Sequence, residues 1–356
     1  MAAMKHCAKN QEHGVALIMV IFMIVLCSAL LISLSDSTYT AMRVNRITEQ
    51  RVKAEYILKS AINFARVLIQ KDGTDFDDPT QDDWMQFQDG REVPGELVGV
   101  NEPNVKISLL ISPENAKIPL LKIIDVSGPD PVWRDVVFKL FQGLGFDNEP
   151  TSPDNASAEP PVPFYTSAEM VGNLIDYLDQ DSDSYSSGQF QGMESNLPQG
   201  SEFPNTTRVD SLQSTLLAIP GFTPLKVQQL LPYISVQDKG ATAKINIGSA
   251  SVQVLSALIE GLDPSFNSAT ASAEAEKLIQ CRDPASGGPY NSNLSSQITQ
   301  CAPNAPPTLS SKLIAQTTIF SVIAKVEYGN ASFFASAFLK TKNNNKLPEI
   351  TEFLVY

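Results

Sequence analysis

Residues 15–34 read VALIMVIFMIVLCSALLISL, a run with no charged residue and no glycine or proline. At 1.5 Å per residue, a helix of this length crosses the roughly 30 Å hydrocarbon core of a bilayer. Lys5 and Lys9 precede the run and favour a cytoplasmic N-terminus, with the rest of the chain exported. A cleaved secretory signal is the alternative, but the run is long for a signal core and no Ala-x-Ala site follows it. The stretch therefore predicts a membrane-spanning helix.

The helical pattern continues beyond the apolar run. Proline and glycine are absent from residues 15–71, and apolar side chains recur at spacings of three and four, as on one face of an amphipathic helix. The positions on this face are Ala54, Ile57, Leu58, Ala61, Phe64, Ala65 and Leu68. The sequence predicts one helix over residues 15–70, apolar on all sides at first and amphipathic afterwards.

Composition excludes several functional classes. The 356 residues carry 39 Asp and Glu against 26 Lys and Arg, a net charge of −13, which disfavours a nucleic-acid binder because phosphate contacts need a positive surface. The only histidines are His6 and His13, both close to the N-terminus. A chain cut after residue 14 would contain none, which rules out Ser-His-Asp, Cys-His and histidine-ligated zinc chemistry. No catalytic constellation is evident elsewhere in the sequence.

Strand patterns flank a long central region. Alternating apolar residues predict strands over residues 105–111 and 318–328, and Gly329-Asn330 then predicts a tight hairpin into a strand over residues 331–340. A further strand is predicted over residues 349–356. We expect these strands to form a small antiparallel sheet packed on the amphipathic half of the long helix.

The central region, residues 125–305, has helical patterns joined by connections rich in Pro, Ser, Asn and Gly. Helices are predicted over residues 131–144, 169–180, 211–218, 224–231, 249–260 and 271–280. A helical block between strands of one sheet implies a large inserted all-α domain, so the predicted fold class is α+β. The predicted boundaries are 1–14 for a leader, 15–70 for the long helix, 71–124 with 306–356 for the α/β domain, and 125–305 for the insertion.

The N-terminal pattern resembles the signal of type IV pilins and pseudopilins. In that family a polar leader ends in glycine, and a prepilin peptidase cuts after it and methylates the new amine; His13-Gly14 before VALI at residues 15–18 fits. The resemblance implies cleavage between Gly14 and Val15. Most pilins carry Glu as the fifth mature residue, where this chain has Met19. Among pseudopilins, that departure is typical of the minor pseudopilin K family of type II secretion.

Three further segments resemble the K family, in the family's order. AKIPL at residues 116–120 is similar to its Lys-Ile-Asn-Leu segment, although Pro119 replaces Asn. LIDYLDQD at residues 174–181 is similar to its Val-Asp-Trp-Leu-Asp-x-Asp motif, and KINIGSA at residues 244–250 to its Ile-Asn-Ile-Asn-Thr-Ala segment. The resemblance spans most of the chain and implies a pilin-like long helix on a small sheet, with a large inserted α-domain.

Acidic residues cluster where the predicted helix over residues 169–180 ends. Asp176 and Asp179 share a face of its last turns, and Asp181 and Asp183 follow directly. Carboxylates this close repel one another, so burying them needs a hard cation, and all-oxygen ligands favour Ca²⁺. The loop lacks the glycine and final glutamate of an EF-hand, so the predicted site is a non-EF site completed by Glu194. A solvated acidic loop is the alternative, but relatives in the K family bind calcium in the inserted domain.

Two cysteines are candidates for a disulfide. Cys281 and Cys301 lie in an irregular stretch on the exported side, where an oxidising compartment permits a bridge. Cys7 falls in the leader and Cys27 in the apolar run. We expect a disulfide between Cys281 and Cys301 rather than two free thiols.

Two features are expected to be structural. The acidic stretch over residues 71–96 holds nine Asp or Glu against Lys71 and Arg91 and is expected to be a solvated loop, with a metal site as the alternative. Residues 217–231 resemble a helix-hairpin-helix, for which we expect a tight turn between two packed helices, since Lys226 is the only cation of the hairpin.

These observations predict a non-enzymatic structural subunit. The resemblance implies a minor pseudopilin at the tip of the type II secretion pseudopilus, which helps to export folded proteins across the outer membrane. It also implies an inner-membrane anchor, a periplasmic globular part, the minor pseudopilins I and J as partners, and a structural Ca²⁺ ion. One alternative is a minor pilin of a type IV pilus, which normally keeps the fifth-position Glu. Another is a membrane-anchored periplasmic enzyme, which would need a catalytic group other than histidine.

Overall fold

The structure, a computed structural model, describes residues 9–72, 76–125, 128–148, 164–179, 181–194, 197, 209–236, 244–286, 288–329, 331–341 and 346–356. The chain divides into two units, Met1–Tyr56 and Ile57–Tyr356. Residues 1–8 of the leader predicted over residues 1–14 lie outside the described residues.

In its described residues, the first unit consists of the N-terminal part of helix α1, which spans Lys9–Gln70 without a break. An uninterrupted helix is what the absence of proline and glycine predicts. The apolar side chains of residues 15–34 are exposed, as Met19 and Phe22 at 67% illustrate. A segment that is apolar on every side is suited to lipid, and this one is long and apolar enough to cross a membrane.

The second unit begins with the last turns of α1, where one face of the helix becomes buried. Phe64 is half-buried and meets the ring of Phe87 edge-on, with 6.2 Å between centroids. Ile57 is also half-buried. The buried residues of this segment are Leu58, Ala61, Ile62, Ala65, Leu68 and Ile69. The buried face is therefore the predicted one, widened by the two isoleucines.

A five-stranded antiparallel sheet forms the second layer of this unit. Its strands, in spatial order, are β1 (Arg91–Glu92), β2 (Val105–Pro113), β3 (Ile319–Tyr328), β4 (Ala331–Lys340) and β5 (Glu349–Val355). The register aligns Leu109 with Ala324 and Ala324 with Ala335, and all three side chains are buried. Alternation in the sequence predicted β2 and β3 because each buries one face. The hairpin signal at Gly329-Asn330 predicted β4, and β5 was predicted as a further strand. Strand β1 is too short to show a pattern and was not predicted.

The acidic stretch after α1 is not the solvated loop that its charge suggested. It folds through two 3₁₀ turns, Asp83–Phe87 and Gly95–Val98, and through β1. Trp84 anchors it: the side chain is fully buried, and its ring meets that of Phe320 edge-on at 4.9 Å. Such an apolar anchor draws the flanking carboxylates inward, and Asp77, Asp78 and Asp82 are buried.

Seven helices lie between β2 and β3 in the part of this region that the structure describes. They are α2 (Pro131–Gly143), α3 (Ser167–Leu178), α4 (Val209–Leu217), α5 (Pro224–Leu230), α6 (Val252–Leu262), α7 (Ser268–Gln280) and α8 (Leu294–Cys301). Sequence patterns predicted all of them except α8. Short 3₁₀ turns at Glu114–Ala116, Leu120–Ile123, Pro284–Ser286 and Leu309–Lys312 complete the connections.

The insertion has its own hydrophobic core, which includes residues from Ala116 to Leu313. Helices α2 and α6 approach closely at Gly261. A Cβ there would lie 2.6 Å from Cγ2 of Val136, so only glycine permits this approach. Trp133 is buried in this core.

Two-residue strand pairs supplement the helices of the insertion, which is therefore not purely α-helical. Near its ends, Ile118–Pro119 pairs in parallel with Ile234–Ser235, and Ile245–Asn246 pairs in parallel with Leu313–Ile314. Two antiparallel pairs are Ile124–Asp125 with Gly128–Pro129, and Ser186–Ser187 with Phe190–Gln191. These pairs are too short for a periodic signal in the sequence.

Candidate metal centre

Helix α3 positions the first two candidate ligands. A capping box begins the helix: Thr166 Oγ1 accepts from the backbone N–H of Glu169, and the Glu169 carboxylate accepts from the backbone N–H of Thr166. The apolar face formed by Met170, Val171, Leu174 and Ile175 is fully buried. This packing brings Asp176 into the last turn of the helix, where it is 3% exposed, and Asp179 to the C-cap.

The chain after α3 folds back onto Asp176. The backbone N–H of Tyr185 donates to Asp176 Oδ1 at 2.6 Å. A hairpin formed by Ser186–Ser187 and Phe190–Gln191 then returns the chain, and Gly192 N–H donates to the carbonyl of Tyr185 at 2.8 Å. A Cβ on Gly192 would lie 2.0 Å from Asp176 Oδ2, so only glycine leaves room for this carboxylate.

Glu194 follows the returning strand of this hairpin by three residues. Its backbone N–H donates to Ser184 Oγ at 3.1 Å. Asp181 is exposed, and its Oδ1 accepts from the backbone N–H of Asp183 at 2.9 Å. Asp183 therefore contacts the acidic group through its backbone N–H. Ser195, which follows Glu194, lies outside the described residues.

Three carboxylate oxygens of this group are buried without a hydrogen-bond donor from the described residues. They are Asp176 Oδ2, Asp179 Oδ1 and Glu194 Oε2. Burial is the main cause that raises the pKa of Asp179 to about 7, and the charges of Asp181, Asp176 and Glu194 contribute. Burial also raises the pKa of Asp176 and of Glu194, and the Asp181 charge acts in the same direction on both. The C-terminus of α3 adds its own partial negative charge.

This arrangement fits a hard cation. Orphaned buried oxygens whose charged form is disfavoured are stabilised by a positive ion, and oxygen-only donors are the ligands that Ca²⁺ prefers. Asp176, Asp179, Asp181 and Glu194 are close enough for their charges to interact, and their role as metal ligands stays a prediction. In the described part of the chain, however, three carboxylate oxygens come within 4.8 Å of one another only at Asp72, Asp77 and Asp82. The group at the end of α3 is the more open one.

The remaining sequence-predicted residues are placed as follows. Cys281 and Cys301 form a disulfide that joins the C-cap of α7 to the last residue of α8, with 6.1 Å between Cα atoms. Cys27 is a free, exposed thiol, and Cys7 lies outside the described residues. Gly14 and Val15 lie within the helical backbone of α1, and cleavage between them stays a prediction.

The hairpin over residues 217–231 is a tight turn between α4 and α5. Gly221 adopts φ +96°, which a residue with a side chain rarely does, and a Cβ there would meet Met170 Cγ at 2.7 Å. Asn173 Nδ2 donates to the carbonyl of Pro220 at 3.1 Å. Lys226 Nζ lies 5.5 Å from the ring centroids of Phe146 and Phe164. The turn packs onto α3, as expected for a structural hairpin.

Comparison with known proteins finds a likeness in structure only. No protein-family model matches the chain, and no curated protein matches it in sequence. A chain from the crystal structure of the GspK-GspI-GspJ complex of the type 2 secretion system of enterotoxigenic Escherichia coli is similar in structure, with a TM-score of 0.53. The identity is 13%, and the match covers 87% of this chain and 99% of the other. The chain therefore has the pilin-like α+β fold with a large helical insertion that its sequence predicts.

Proposed function

We propose that this protein is a minor pseudopilin of a type II secretion system, a non-enzymatic subunit at the tip of the pseudopilus. The observation that carries the proposal is the fold likeness to a chain of the GspK-GspI-GspJ complex over 87% of this chain, since so extensive a match includes most of the helical insertion. The sequence similarities at residues 14–18, 116–120, 174–181 and 244–250 support the same family.

The anchor in this proposal is the apolar part of α1. The exposed apolar side chains of residues 15–34 support an anchor in the inner membrane. In this proposal the second unit is exported to the periplasm. Prepilin peptidase cuts after Gly14 and methylates Val15, after which α1 can leave the lipid and pack against the helices of other subunits. Export of folded proteins follows from the assembly and not from chemistry on this chain.

Two features favour the tip over the shaft of the filament. Pilins place a Glu at the fifth mature position to pair with a neighbour's N-terminal amine in the apolar environment, and this chain has Met19 there. The region between β2 and β3 spans residues 114–318 and would obstruct subunits stacked above it. The minor pseudopilins I and J are the proposed partners.

N-terminal sequencing and co-purification test this function. Protein extracted from membranes is expected to begin at Val15 with a methylated amine, and Gly14→Val is expected to leave the leader attached, while Gln11→Ala does not. A chain that begins beyond residue 34 would contradict the proposal. Co-purification with pseudopilins I and J from the native host separates secretion from a type IV pilus, whose minor pilins would appear instead.

We also propose that Asp176, Asp179, Asp181, Asp183 and Glu194 hold a structural Ca²⁺ ion in the insertion. The three orphaned oxygens and the raised pKa values of Asp176, Asp179 and Glu194 support it. Added Ca²⁺ is expected to raise the melting temperature of the EDTA-treated chain. Substitution of Asp179 and Asp181 by Ala should abolish that rise, whereas Asp263→Ala, at a carboxylate that accepts from the backbone N–H of Ser265, should not. An unchanged rise in the double variant would contradict the site.

A further inference from the structure

A second acidic cluster lies just beyond the C-terminal end of α1. One carboxylate oxygen of each of Asp72, Asp77 and Asp82 lies within 4.8 Å of the others. Asp77 and Asp82 are each 2% exposed, and Asp72 is half-buried. All three belong to the acidic stretch that the sequence suggested would be a solvated loop. Their burial therefore results from tertiary packing and could not be predicted from the local sequence.

Distant parts of the chain hold Asp77 in place. Its Oδ1 accepts from the backbone N–H of Thr317 at 2.8 Å, and its Oδ2 accepts from Thr317 Oγ1 and Asn246 Nδ2, both at 2.6 Å. Ser249 Oγ also donates, at 3.1 Å. Burial nevertheless outweighs these four hydrogen bonds and raises the pKa of Asp77. The carboxylate is thus fixed in position but lacks enough compensation for its charge.

Asp82 is the group whose bonding is incomplete. Its Oδ2 accepts from the backbone N–H of Asp78 at 2.7 Å, whereas its Oδ1 is buried and has no hydrogen-bond partner in the described part of the chain. Burial is the main cause that raises the pKa of Asp82 to about 8, and the charges of Asp72 and Asp77 act in the same direction. A buried, unpartnered oxygen beside two other carboxylates points to a positive ligand.

Neighbouring groups do not supply the missing positive charge in full. Arg282 interacts electrostatically with Asp77, but its guanidinium donates to the backbone carbonyls of Ile247 and Ala250. Asp78 is satisfied locally: Oδ1 accepts from the backbone N–H and Oγ1 of Thr80, and Oδ2 from Gln81 Nε2. Asp78 thus shows how an acidic residue of the same loop is satisfied without an ion.

We propose that Asp72, Asp77 and Asp82 bind a hard divalent cation, with Ca²⁺ as the first candidate, at the point where α1, the insertion and the sheet meet. The donors are all oxygen, which selects Ca²⁺ or Mg²⁺ over softer metals, and water completes the coordination. The ion connects Asp72, two residues beyond the end of α1, to Asp77, whose carboxylate accepts hydrogen bonds from Asn246 and Thr317. This site does not depend on the proposed function or on the group at the end of α3.

Ion stoichiometry of the full-length chain in detergent micelles tests the site. After treatment with EDTA, bound Ca²⁺ is measured by equilibrium dialysis for Asp82→Asn and for Asp83→Asn, which removes the same charge from the exposed neighbouring residue. We expect Asp82→Asn to bind one ion fewer per chain than Asp83→Asn. The same difference in the Asp179→Asn, Asp181→Asn background would show that the lost ion is not the one at α3.

Equal stoichiometry in the two single variants, with circular dichroism showing both folded, would overturn the proposal. If Asp82→Asn also raised the melting temperature of the ion-free chain without changing ion binding, the cluster would be stabilised by a proton shared between Asp72 and Asp82 and not by a cation. A repeat with Mg²⁺ distinguishes the two hard ions: binding with the same dependence on Asp82 supports the site and assigns it the smaller ion.

Discussion

At the scale of the residue, Gly192 controls whether the loop after α3 can close over Asp176. A Cβ at this position would lie 2.0 Å from Asp176 Oδ2, a distance that no real contact adopts. The steric requirement arises from packing and not from backbone conformation, since Gly192 is not among the glycines with positive φ.

We therefore expect Gly192→Ala to destabilise the fold by about 1–3 kcal/mol, the usual range for an overpacked site. It should also reduce the rise in melting temperature on addition of Ca²⁺, because Asp176 must move. Urea unfolding of the chain in detergent measures both effects. Gly143→Ala is the control, since a Cβ there meets no atom within 4 Å. Equal stability of the two variants would mean that the loop is not closed as described.

Lys226 carries a charge that the fold disfavours. Burial lowers its pKa, although Asp147 opposes the effect, and its Nζ faces Phe146, Phe164 and Met170. The folded chain therefore binds fewer protons than the unfolded chain as pH approaches the ordinary value of 10.5, so the contribution of Lys226 to stability rises with pH in that window.

Lys226→Met should preserve the contacts with the rings and raise the melting temperature at pH 7, by the equivalent of roughly 1 kcal/mol or less. The matched substitution Lys277→Met should lower it, because Lys277 Nζ lies 2.7 Å from a carboxylate oxygen of the buried Glu274. Thermal unfolding followed by circular dichroism compares the two variants. A lower melting temperature for Lys226→Met would indicate that the interaction of the Lys226 cation with the rings of Phe146 and Phe164 stabilises the fold.

Sequence alone singled out one acidic group as a metal site and gave a metal site in the other stretch only as the alternative, for a physical reason. Asp176 and Asp179 share a helix face through helical spacing, and Asp181 follows within two residues. Asp77 is buried through bonds to Asn246, Ser249 and Thr317, which are far away along the chain. A local pattern of acidic residues cannot distinguish a solvated loop from one that a distant segment covers.

At the scale of the element, α8 depends on its attachments more than on its own pattern. Ile298 is the buried residue of this helix, and its Asn293 N-cap makes no side-chain capping bond. The other helices show clearer signals, such as the Thr166–Glu169 capping box of α3. With eight residues, one buried side chain and no capping hydrogen bond, this helix gives little signal in the sequence, which explains why the sequence did not predict it. The disulfide between Cys281 and Cys301 holds its C-terminal end.

Removal of this disulfide should therefore destabilise the second unit. Substitution of Cys281 and Cys301 by Ser is expected to cost about 3 kcal/mol, the loop-entropy value for a bridge that closes a loop of this length. Urea unfolding measures the loss, and proteolysis is expected to begin near α8. Cys27→Ser is the control because this free thiol lies in the apolar run. Equal stability of the double variant and the control would mean that the bridge contributes nothing.

At the scale of the whole molecule, the chain leaves the sheet after β2 and returns to pair with the same strand. Leu109 and Ala324 are register partners although the entire insertion separates them in sequence. The order of the helical and strand patterns predicted this insertion. The parallel pairs near its ends were not predicted, because pairs of two residues leave no periodic trace. The two ends of the insertion are held together by individual polar contacts as well as by the pairing of β2 with β3.

Asn115 is the polar residue that closes the base of the insertion. It is 4% exposed and follows β2, and its Oδ1 accepts from the backbone N–H groups of Thr318 and Ile319 at 2.9 and 2.8 Å. Asn115→Ala would leave two amides at the start of β3 without this acceptor. An unsatisfied buried donor costs about 1–3 kcal/mol, so we expect a loss of stability in that range.

Hydrogen exchange locates the effect of Asn115→Ala. The amides of Thr318 and Ile319 should exchange faster, whereas those of β4 should change only as much as global stability does. Asn293→Ala is the control, since this exposed N-cap makes no side-chain capping bond. Uniformly faster exchange throughout β3 and β4 would mean that Asn115 acts on the sheet as a whole. Selective exchange at its two partners would show that one amide side chain joins the end of the insertion to the sheet.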